Sequence, residues 1–353
     1  MSNIIQLAVP SRILSLEARI TALLGLFATE RRIGDDVFWL KENGEMLNIL
    51  QSTGLPVAPE ALAVHAGFYT QAAKRLQFFP QYYRFLLSLA LDLEDLGMPG
   101  HEAEKMVQFA AREGLAEAEM SDLQRAEARR LMTRRGVDPV REQGLDDRLR
   151  AFVSRTKTFS LPNKKAAYEL THIVFYLTQY GHRSADLGPE AVTSLHFAGL
   201  TAFLDQNADL LAEICIAMRF LGEVPPPVWT AWLRHQTAGF TVEEGEHVSI
   251  NDDYHDFLIC NWHEAIEGGD VFRKPLGTGK MRFDKAPGHT AALREISQAM
   301  LALDEARVGD WSVMRRRMAS TVSEEALDML EVAASTSAHF EAYFEGFARA
   351  GAQ

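Results

Sequence analysis

Four side chains in the middle of the sequence have the chemistry of metal ligands or acid–base groups. His172 and His255 each lie in a strongly apolar stretch, and Asp209 and Glu213 lie four residues apart in a third. Residues four apart share one face of a helix, so the two carboxylates are expected to be neighbours. Buried imidazole and carboxylate groups are costly unless they are paired or ligated. These four residues therefore predict a single polar site.

Two histidines and two carboxylates form a ligand set that suits Zn, Mn or Fe better than Ca or Mg. The same groups suit acid–base catalysis, with the carboxylates orienting the histidines. His255 is expected in the first turn of a helix, where the positive helix end would lower its pKa and keep it neutral. Three further residues are expected to line the pocket: Tyr176, Asp253 and Tyr254.

Each of these residues also has a purely structural interpretation. Either Asp205 or Asn207 is expected to cap a helix, with Asp209 in its first turn. A lone histidine such as His172, inside an apolar helix, is more often a hydrogen-bonded core residue than a ligand. Polar groups that pair only with one another would fix helix register in a non-catalytic binding or scaffold protein. An enzyme and such a protein both remain open.

A second acidic motif, Asp92-Leu93-Glu94-Asp95, ends an apolar helix. It resembles the acidic motifs that bind Mg²⁺-diphosphate in all-α isoprenoid synthases. The further metal motif of terpene synthases is incomplete after Asn251-Asp252, because His255 and Ile259 occupy the places of a hydroxyl residue and a glutamate. Mg-dependent isoprenoid-diphosphate chemistry is therefore a remote alternative.

The composition excludes several classes of partner. The 353-residue chain carries a formal net charge of −12, which disfavours binding to nucleic acid and to anionic membranes. Cys215 and Cys260 are too few for a disulfide scaffold, and residues 1–5 do not begin a signal peptide, so we expect a cytoplasmic protein. The apolar runs are too short to span a membrane. A small-molecule ligand or a protein is the expected partner.

The apolar spacing is helical almost throughout and predicts an all-α fold of antiparallel helix pairs without strands. Composition divides the chain into an N-terminal helical region (1–100), a charged helical connector (101–160) and a C-terminal helical-hairpin region (161–353) that contains the candidate site. Gly268–Gly288 is expected to be a loop or lid. The helices expected in the C-terminal region are Lys164–Tyr180, Pro189–Asp205, Ala208–Leu221, Pro226–Arg234, Asp253–Glu267, Ala291–Ala306 and Glu324–Arg349.

Two segments, Asp35–Asn43 and Phe79–Ser88, resemble an uncharacterised family of alphaproteobacterial proteins, and the resemblance covers most of the chain. The C-terminal half is also similar to a broader uncharacterised bacterial group. That group often has an acidic residue before its Tyr-Gly helix end, where this chain has Gln179. The motifs shared with it are Thr171-His172, Phe175-Tyr176, Tyr180-Gly181, Asp209-Leu210 with Glu213, and Asp253-Tyr254-His255.

These resemblances imply that the four candidate residues belong to one site, and they imply no activity. Paired helices of this kind look like α/α-toroid folds, whose central cavities often hold active sites. We therefore expect a metal-dependent or acid–base enzyme that acts on a small molecule in a pocket between C-terminal helices, with a non-catalytic helical protein as the alternative.

Overall fold

A computed structural model of the chain describes residues 14–32, 36–140, 142–286 and 291–350. The first helices are α1 Leu16–Gly25, α2 Val37–Thr53, α3 Ala66–Phe78, α4 Tyr83–Asp95, α5 Glu102–Arg112, α6 Asp122–Thr133, α7 Leu145–Val153 and α8 Thr156–Phe159. The later helices are α9 Lys164–Leu177, α10 Pro189–Leu204, α11 Ala208–Phe220, α12 Pro227–Gly239, α13 Tyr254–Ile266, α14 Ala292–Leu303, α15 Trp311–Met318, α16 Glu324–Thr336 and α17 Phe340–Ala348. Single π or 3₁₀ segments cover Leu26–Glu30, Pro59–His65, Pro80–Tyr82 and Asp304–Ala306.

The fold is all-α, as the sequence predicts. Side-chain caps fix several helix starts. Asp36 accepts a hydrogen bond from the backbone N–H of Trp39 (2.7 Å) at the start of α2, and Gly54 ends this helix in the left-handed conformation. Asp35, the other acidic residue of the predicted cap, lies outside the described residues. None of the helices in the described ranges is long and apolar enough to cross a membrane.

Six helices make a closed series of contacts. α2 packs against α4, α4 against α6, α6 against α9, α9 against α11, α11 against α13, and α13 returns to α2. We call these six the ring helices. α3, α5, α7, α10 and α12 each pack against one or two of them. Because the ring closes, side chains from distant parts of the sequence can meet. The toroid arrangement stays a prediction, and so do the boundaries of the three predicted regions.

The expectation that the chain has no strands is wrong at one place. β1 (Thr241–Glu244) and β2 (Met281–Asp284) pair antiparallel, with Val242 opposite Phe283. β2 therefore falls inside the segment Gly268–Gly288 that was expected to be a loop or lid. Met281 and Phe283 are buried and alternate with partly exposed residues, which is a strand pattern too short to stand out in the sequence.

The expected single helix over Glu324–Arg349 is also wrong, because it is broken into α16 and α17. Ser335 and Thr336 both donate side-chain hydrogen bonds back to the Val332 carbonyl, at 3.1 and 2.6 Å. Such bonds compete with the helical ladder and weaken its continuation. α15 was not predicted at all.

The buried guanidinium of Arg31 joins the beginning of the chain to the segment before α13. Its Nε donates to Glu42 on α2 (2.9 Å), and Nη1 and Nη2 donate to the two carboxylate oxygens of Asp252, at 2.8 and 2.9 Å. Nη1 also donates to the Met281 carbonyl (2.8 Å). The rings of Phe27, Tyr254 and Phe283 lie 5.3, 5.0 and 5.3 Å from the guanidinium carbon.

Replacing Arg31 is expected to destabilise the protein strongly. Arg31→Met leaves the buried carboxylates of Glu42 and Asp252 without their partner, which costs about 3–5 kcal/mol. The matched control is Arg32→Met, which loses a contact to the same Glu42 (2.7 Å) but from a partly exposed side chain, and about 1 kcal/mol or less is expected. Urea unfolding of both variants measures the difference. Equal losses would contradict a central role for Arg31.

His65 is a buried histidine held neutral by its surroundings. Its Nε2 lies 2.8 Å from Asn43 Oδ1. The Asn43 amide nitrogen donates to the carbonyls of Phe27 and Trp39, at 2.9 and 3.0 Å, so the amide oxygen is the acceptor and His65 Nε2 carries the proton. Burial lowers the pKa of His65 to about 4.

This depressed pKa makes stability depend on pH. Between the ordinary histidine pKa of about 6.5 and the folded pKa of about 4, the unfolded chain binds a proton that the folded chain does not. The contribution of His65 to stability is thus present above pH 6.5 and lost as pH falls towards 4, at about 1.4 kcal/mol per pH unit. In His65→Gln the slope of unfolding free energy against pH should be smaller by roughly that amount. An unchanged slope would show that His65 is not neutral in the folded protein.

Candidate functional site

Three of the four predicted site residues meet between ring helices. Asp209 and Glu213 of α11 and His255 of α13 each offer one ligand atom, and these three atoms lie within 4.8 Å of one another. Asp209 and Glu213 are buried and His255 is partly exposed. Asn207 caps α11 by accepting from the backbone N–H of Leu210 (3.1 Å), so Asp209 lies in the first turn, as one predicted arrangement has it.

His255 lies between two carboxylates. Its Nδ1 is 3.1 Å from Glu45 Oε2 on α2, and its Nε2 is 3.2 Å from Asp209 Oδ1. Burial alone would lower the pKa of His255, but Asp209 and Glu45 outweigh it and raise this pKa well above its ordinary value. The expectation that the helix end keeps His255 neutral is therefore wrong, because a helix terminus acts more weakly than two carboxylates in direct contact.

The two carboxylate oxygens of Asp209 have different partners. Oδ2 accepts from the Tyr168 hydroxyl at 2.5 Å. Oδ1 is buried and forms an ion pair with His255 Nε2 at 3.2 Å, without a further hydrogen bond among the described residues. Burial alone would raise the pKa of Asp209, yet His255, Tyr168 and His172 lower it. This buried carboxylate is therefore held ionised by its neighbours.

Glu213 is the most deeply placed carboxylate of the cluster. Burial raises its pKa, against the opposing effect of His172. Thr171 Oγ1 lies 2.5 Å from Glu213 Oε2 and 2.9 Å from the Tyr168 carbonyl, although a hydroxyl has only one proton to donate. The Thr171 hydroxyl therefore shares its one proton between the Glu213 carboxylate and the Tyr168 carbonyl.

His172 borders this cluster without being part of the three-residue group. Its Nδ1 is 2.8 Å from the Tyr168 carbonyl and 3.6 Å from Glu213 Oε2. A carbonyl only accepts hydrogen bonds, so Nδ1 carries a proton, and in a neutral ring Nε2 then has the free lone pair. The side chain is one-third exposed. His172 is thus not a core residue, and its Nε2 is available as an additional ligand or base.

A cavity of about 700 Å³ reaches the cluster at Tyr168 and Asp209. Its walls also include Trp232, His235 and two ion pairs. Lys164 contacts Asp205 at 2.8 Å, and Lys285 contacts Asp256 at 3.1 Å. The cavity is large enough for a small molecule, and polar groups of such a molecule would reach Asp209 through it.

The three residues predicted to line the pocket have separate surroundings. Tyr254 packs against the Arg31 guanidinium and lies near Glu45, so burial and this carboxylate raise its pKa. Asp253 accepts from the backbone N–H of Lys285 (3.1 Å). Tyr176 lies edge-on to the His172 ring, with centroids 5.9 Å apart, and lines a separate cavity beside Arg130.

The carboxylates of the acidic motif at the end of α4 form ion pairs with arginines. Arg134 contacts Asp92 and Asp95, both at 2.7 Å, and Arg135 contacts Glu94 at 2.8 Å. Asp252 of the second motif holds Arg31. These contacts give no support to a Mg²⁺-diphosphate site, and the remote isoprenoid alternative gains nothing from the structure.

The family described as Domain of unknown function (DUF6902) matches residues 1–350. The chain belongs to this family. The prediction of an uncharacterised family is thereby confirmed, while the alphaproteobacterial origin and the similarity of the C-terminal half to a broader group stay predictions. No curated protein and no solved structure gives a significant match. Membership of DUF6902 supplies no activity, so function has to be argued from the side chains.

Two residues of the candidate site were not among the predicted ones. Glu45 lies 210 positions before His255, and its approach depends on the packing of α2 against α13, for which the sequence carries no local signal. Tyr168 precedes His172 by four residues, so it shares a helix face with it. That spacing was the one available signal for Tyr168.

Glu45→Gln should lower the pKa of His255, because it removes one of the two neighbouring carboxylates. A decrease of about one unit or more is expected from the loss of one contact of about 3 Å. Titration of the His255 ring by NMR measures it. Lys41→Met is the control, since Lys41 contacts Glu45 at 3.7 Å from the exposed side and leaves the carboxylate in place. A His255 pKa equal in wild type and Glu45→Gln would contradict the observed pairing.

Proposed function

We propose that this protein binds one divalent transition-metal ion, Zn²⁺, Mn²⁺ or Fe²⁺, through Asp209, Glu213 and His255. We further propose that it is an enzyme acting on a small molecule in the adjoining 700 Å³ cavity. The observation that carries the proposal is the convergence of two buried carboxylates and one imidazole, whose ligand atoms lie within 4.8 Å of one another. Such a set of buried oxygen and nitrogen ligands is one that a divalent cation would satisfy.

The charge of the cluster supports a cation. Three carboxylates, those of Glu45, Asp209 and Glu213, lie around one imidazole ring or beside it. Without metal, the positive charge of His255 offsets part of this negative charge. A divalent ion bound by two carboxylates and one imidazole would take the place of the proton on His255 Nε2. Oxygen and nitrogen ligands of this mixture suit Zn²⁺, Mn²⁺ and Fe²⁺.

The surrounding residues would have separate roles in such a site. Glu45 would accept a hydrogen bond from His255 Nδ1 and so orient Nε2 towards the ion, as carboxylates commonly do for ligand histidines. Tyr168 would hold Asp209 through its other oxygen. His172, with its free Nε2, would serve as a further ligand or as a general base. A bound ion of this kind polarises a carbonyl or activates a water molecule.

The closed series of ring helices supports an α/α-toroid arrangement with the site in its interior. The ligands come from α11 and α13, the orienting carboxylate from α2, and the candidate base from α9. These helices are consecutive in the ring. Rigid helices position catalytic groups more accurately than loops do.

The competing proposal is a non-catalytic helical protein in which the same residues only pair with one another. It is supported by the contacts of Tyr168 with Asp209 and of Thr171 with Glu213, which satisfy two carboxylates without any ion. Such a network would fix the register of α9 against α11. It leaves unexplained why two buried carboxylates, Asp209 and Glu213, lie so close together.

Metal binding separates the two proposals. Purified wild-type protein incubated with Zn²⁺ or Mn²⁺ and then freed of excess ion should retain one ion per chain by elemental analysis. Asp209→Asn and Glu213→Gln, which preserve side-chain shape, should weaken binding at least tenfold in isothermal titration, since each removes a charged ligand.

Asp205→Asn is the matched control, because Asp205 lies four residues before Asp209 and lines the same cavity but contacts Lys164. It should bind metal as wild type does. If wild type binds no ion, and Asp209→Asn and Glu213→Gln change only stability, the metal site is wrong and the pairing network stands.

A further inference from the structure

Arg130 of α6 is buried without the partners that a buried guanidinium normally has. Its residue exposure is 8%, and its Nε is buried without a hydrogen-bond acceptor. In the part of the chain that the structure describes, no carboxylate oxygen lies within 4 Å of it and its side chain donates no hydrogen bond. The neighbouring Arg129 and Arg134 both have carboxylate partners, Asp146 and Asp92.

Two aromatic rings offset part of the cost of burying this charge. The guanidinium carbon lies 4.6 Å from the ring centre of Tyr180 and 5.8 Å from that of Tyr176. Cation–π contacts of this kind stabilise a desolvated cation. They leave the buried Nε–H without an acceptor, and an unsatisfied buried donor is destabilising, more so when it is charged. The two rings therefore hold the guanidinium in place but supply no hydrogen-bond acceptor for it.

The same guanidinium lines a cavity of about 290 Å³ between α6 and the end of α9. Arg129 and Arg183 also line it, together with the neutral donors Thr133 and Gln179. Burial raises the pKa of the lining residue Tyr176 well above its ordinary value, so its phenol remains a neutral donor.

The carboxylates of this cavity are already engaged. Asp146 contacts the Arg129 guanidinium, and Asp138 accepts a hydrogen bond from the backbone N–H of Val140 (3.0 Å). Three arginines against two aspartates leave the walls with one excess positive charge, in a chain whose formal net charge is −12. A cationic cavity in an acidic protein selects a small anion and not a polyanionic surface.

We propose that this cavity is a binding site for the oxyanion group of a small molecule, a phosphate or a carboxylate, with Arg130 as its principal ligand. The planar guanidinium donates two parallel N–H bonds to such groups and is the preferred side chain for them. The stacking on Tyr180 and Tyr176 orients its donors before the anion arrives. The site depends on none of the proposed metal ligands, so the two proposals can fail separately.

Inorganic phosphate and acetate are the probes that test the site, each compared with sodium chloride at matched ionic strength. Isothermal titration and thermal unfolding of wild type should show saturable binding and a raised Tm with at least one of them, and the better probe identifies phosphate or carboxylate as the preferred group. Arg130→Met should weaken this binding at least tenfold, and Arg130→Lys should bind more weakly than wild type because it loses the two parallel bonds.

Arg125→Met is the matched control on the same helix, since Arg125 pairs with Glu142 (3.2 Å) and does not line the cavity. It should bind the anion as wild type does. Should Arg130→Met fail to fold, Arg183→Met replaces an exposed lining residue and should weaken binding several-fold. If the wild-type protein binds neither probe, or if Arg130→Met binds them as tightly as wild type does, the proposal is overturned.

Discussion

The ion pairs of the buried Arg31 guanidinium are the constraint on which the candidate site depends. They join Glu42 on α2 to Asp252, which is two residues before the start of α13. Glu45 is one helical turn after Glu42, and His255 is three residues after Asp252. Fixing Glu42 and Asp252 to one guanidinium therefore brings Glu45 to His255. Removing one partner of such a buried cluster costs far more than removing an exposed pair, because the remaining charges stay buried.

The cluster around His255 illustrates how neighbouring charges override a helix terminus. His255 lies in the first turn of α13, where the helix end disfavours a positive charge by about 0.3–1 kcal/mol, or up to about 2 when partly buried. Each carboxylate at about 3–4 Å contributes on the order of 4 kcal/mol at an effective dielectric constant of about 20. Asp209, in the first turn of α11, has the helix end and the imidazolium acting in the same direction. The raised pKa of His255 and the lowered pKa of Asp209 are thus one effect.

Local patterns in the sequence predicted most of the helices, but they missed α15 and the break between α16 and α17. The apolar spacing predicted the all-α fold, and the four-residue spacing of Asp209 and Glu213 placed them together on α11. What the sequence could not supply were contacts made by long-range packing, such as Glu45 with His255. Tyr254 was predicted to line the pocket; its ring packs on the Arg31 guanidinium, and it also lies near Glu45, a contact made by the same long-range packing. The β1–β2 pair was missed for the same reason, since a four-residue strand is recognisable only from its pairing with another strand.

One face of α9 connects the two polar centres of the molecule. Tyr168, His172 and Tyr176 follow one another at four-residue intervals, which places them along one side of the helix. Near its beginning this side meets Asp209, and near its end it meets Arg130. A helix C-terminus carries partial negative charge, so a guanidinium is better tolerated beside the end of α9 than beside its beginning. The acidic centre and the basic cavity therefore occupy the ends of α9 that electrostatics favours for a cluster of carboxylates and for an arginine.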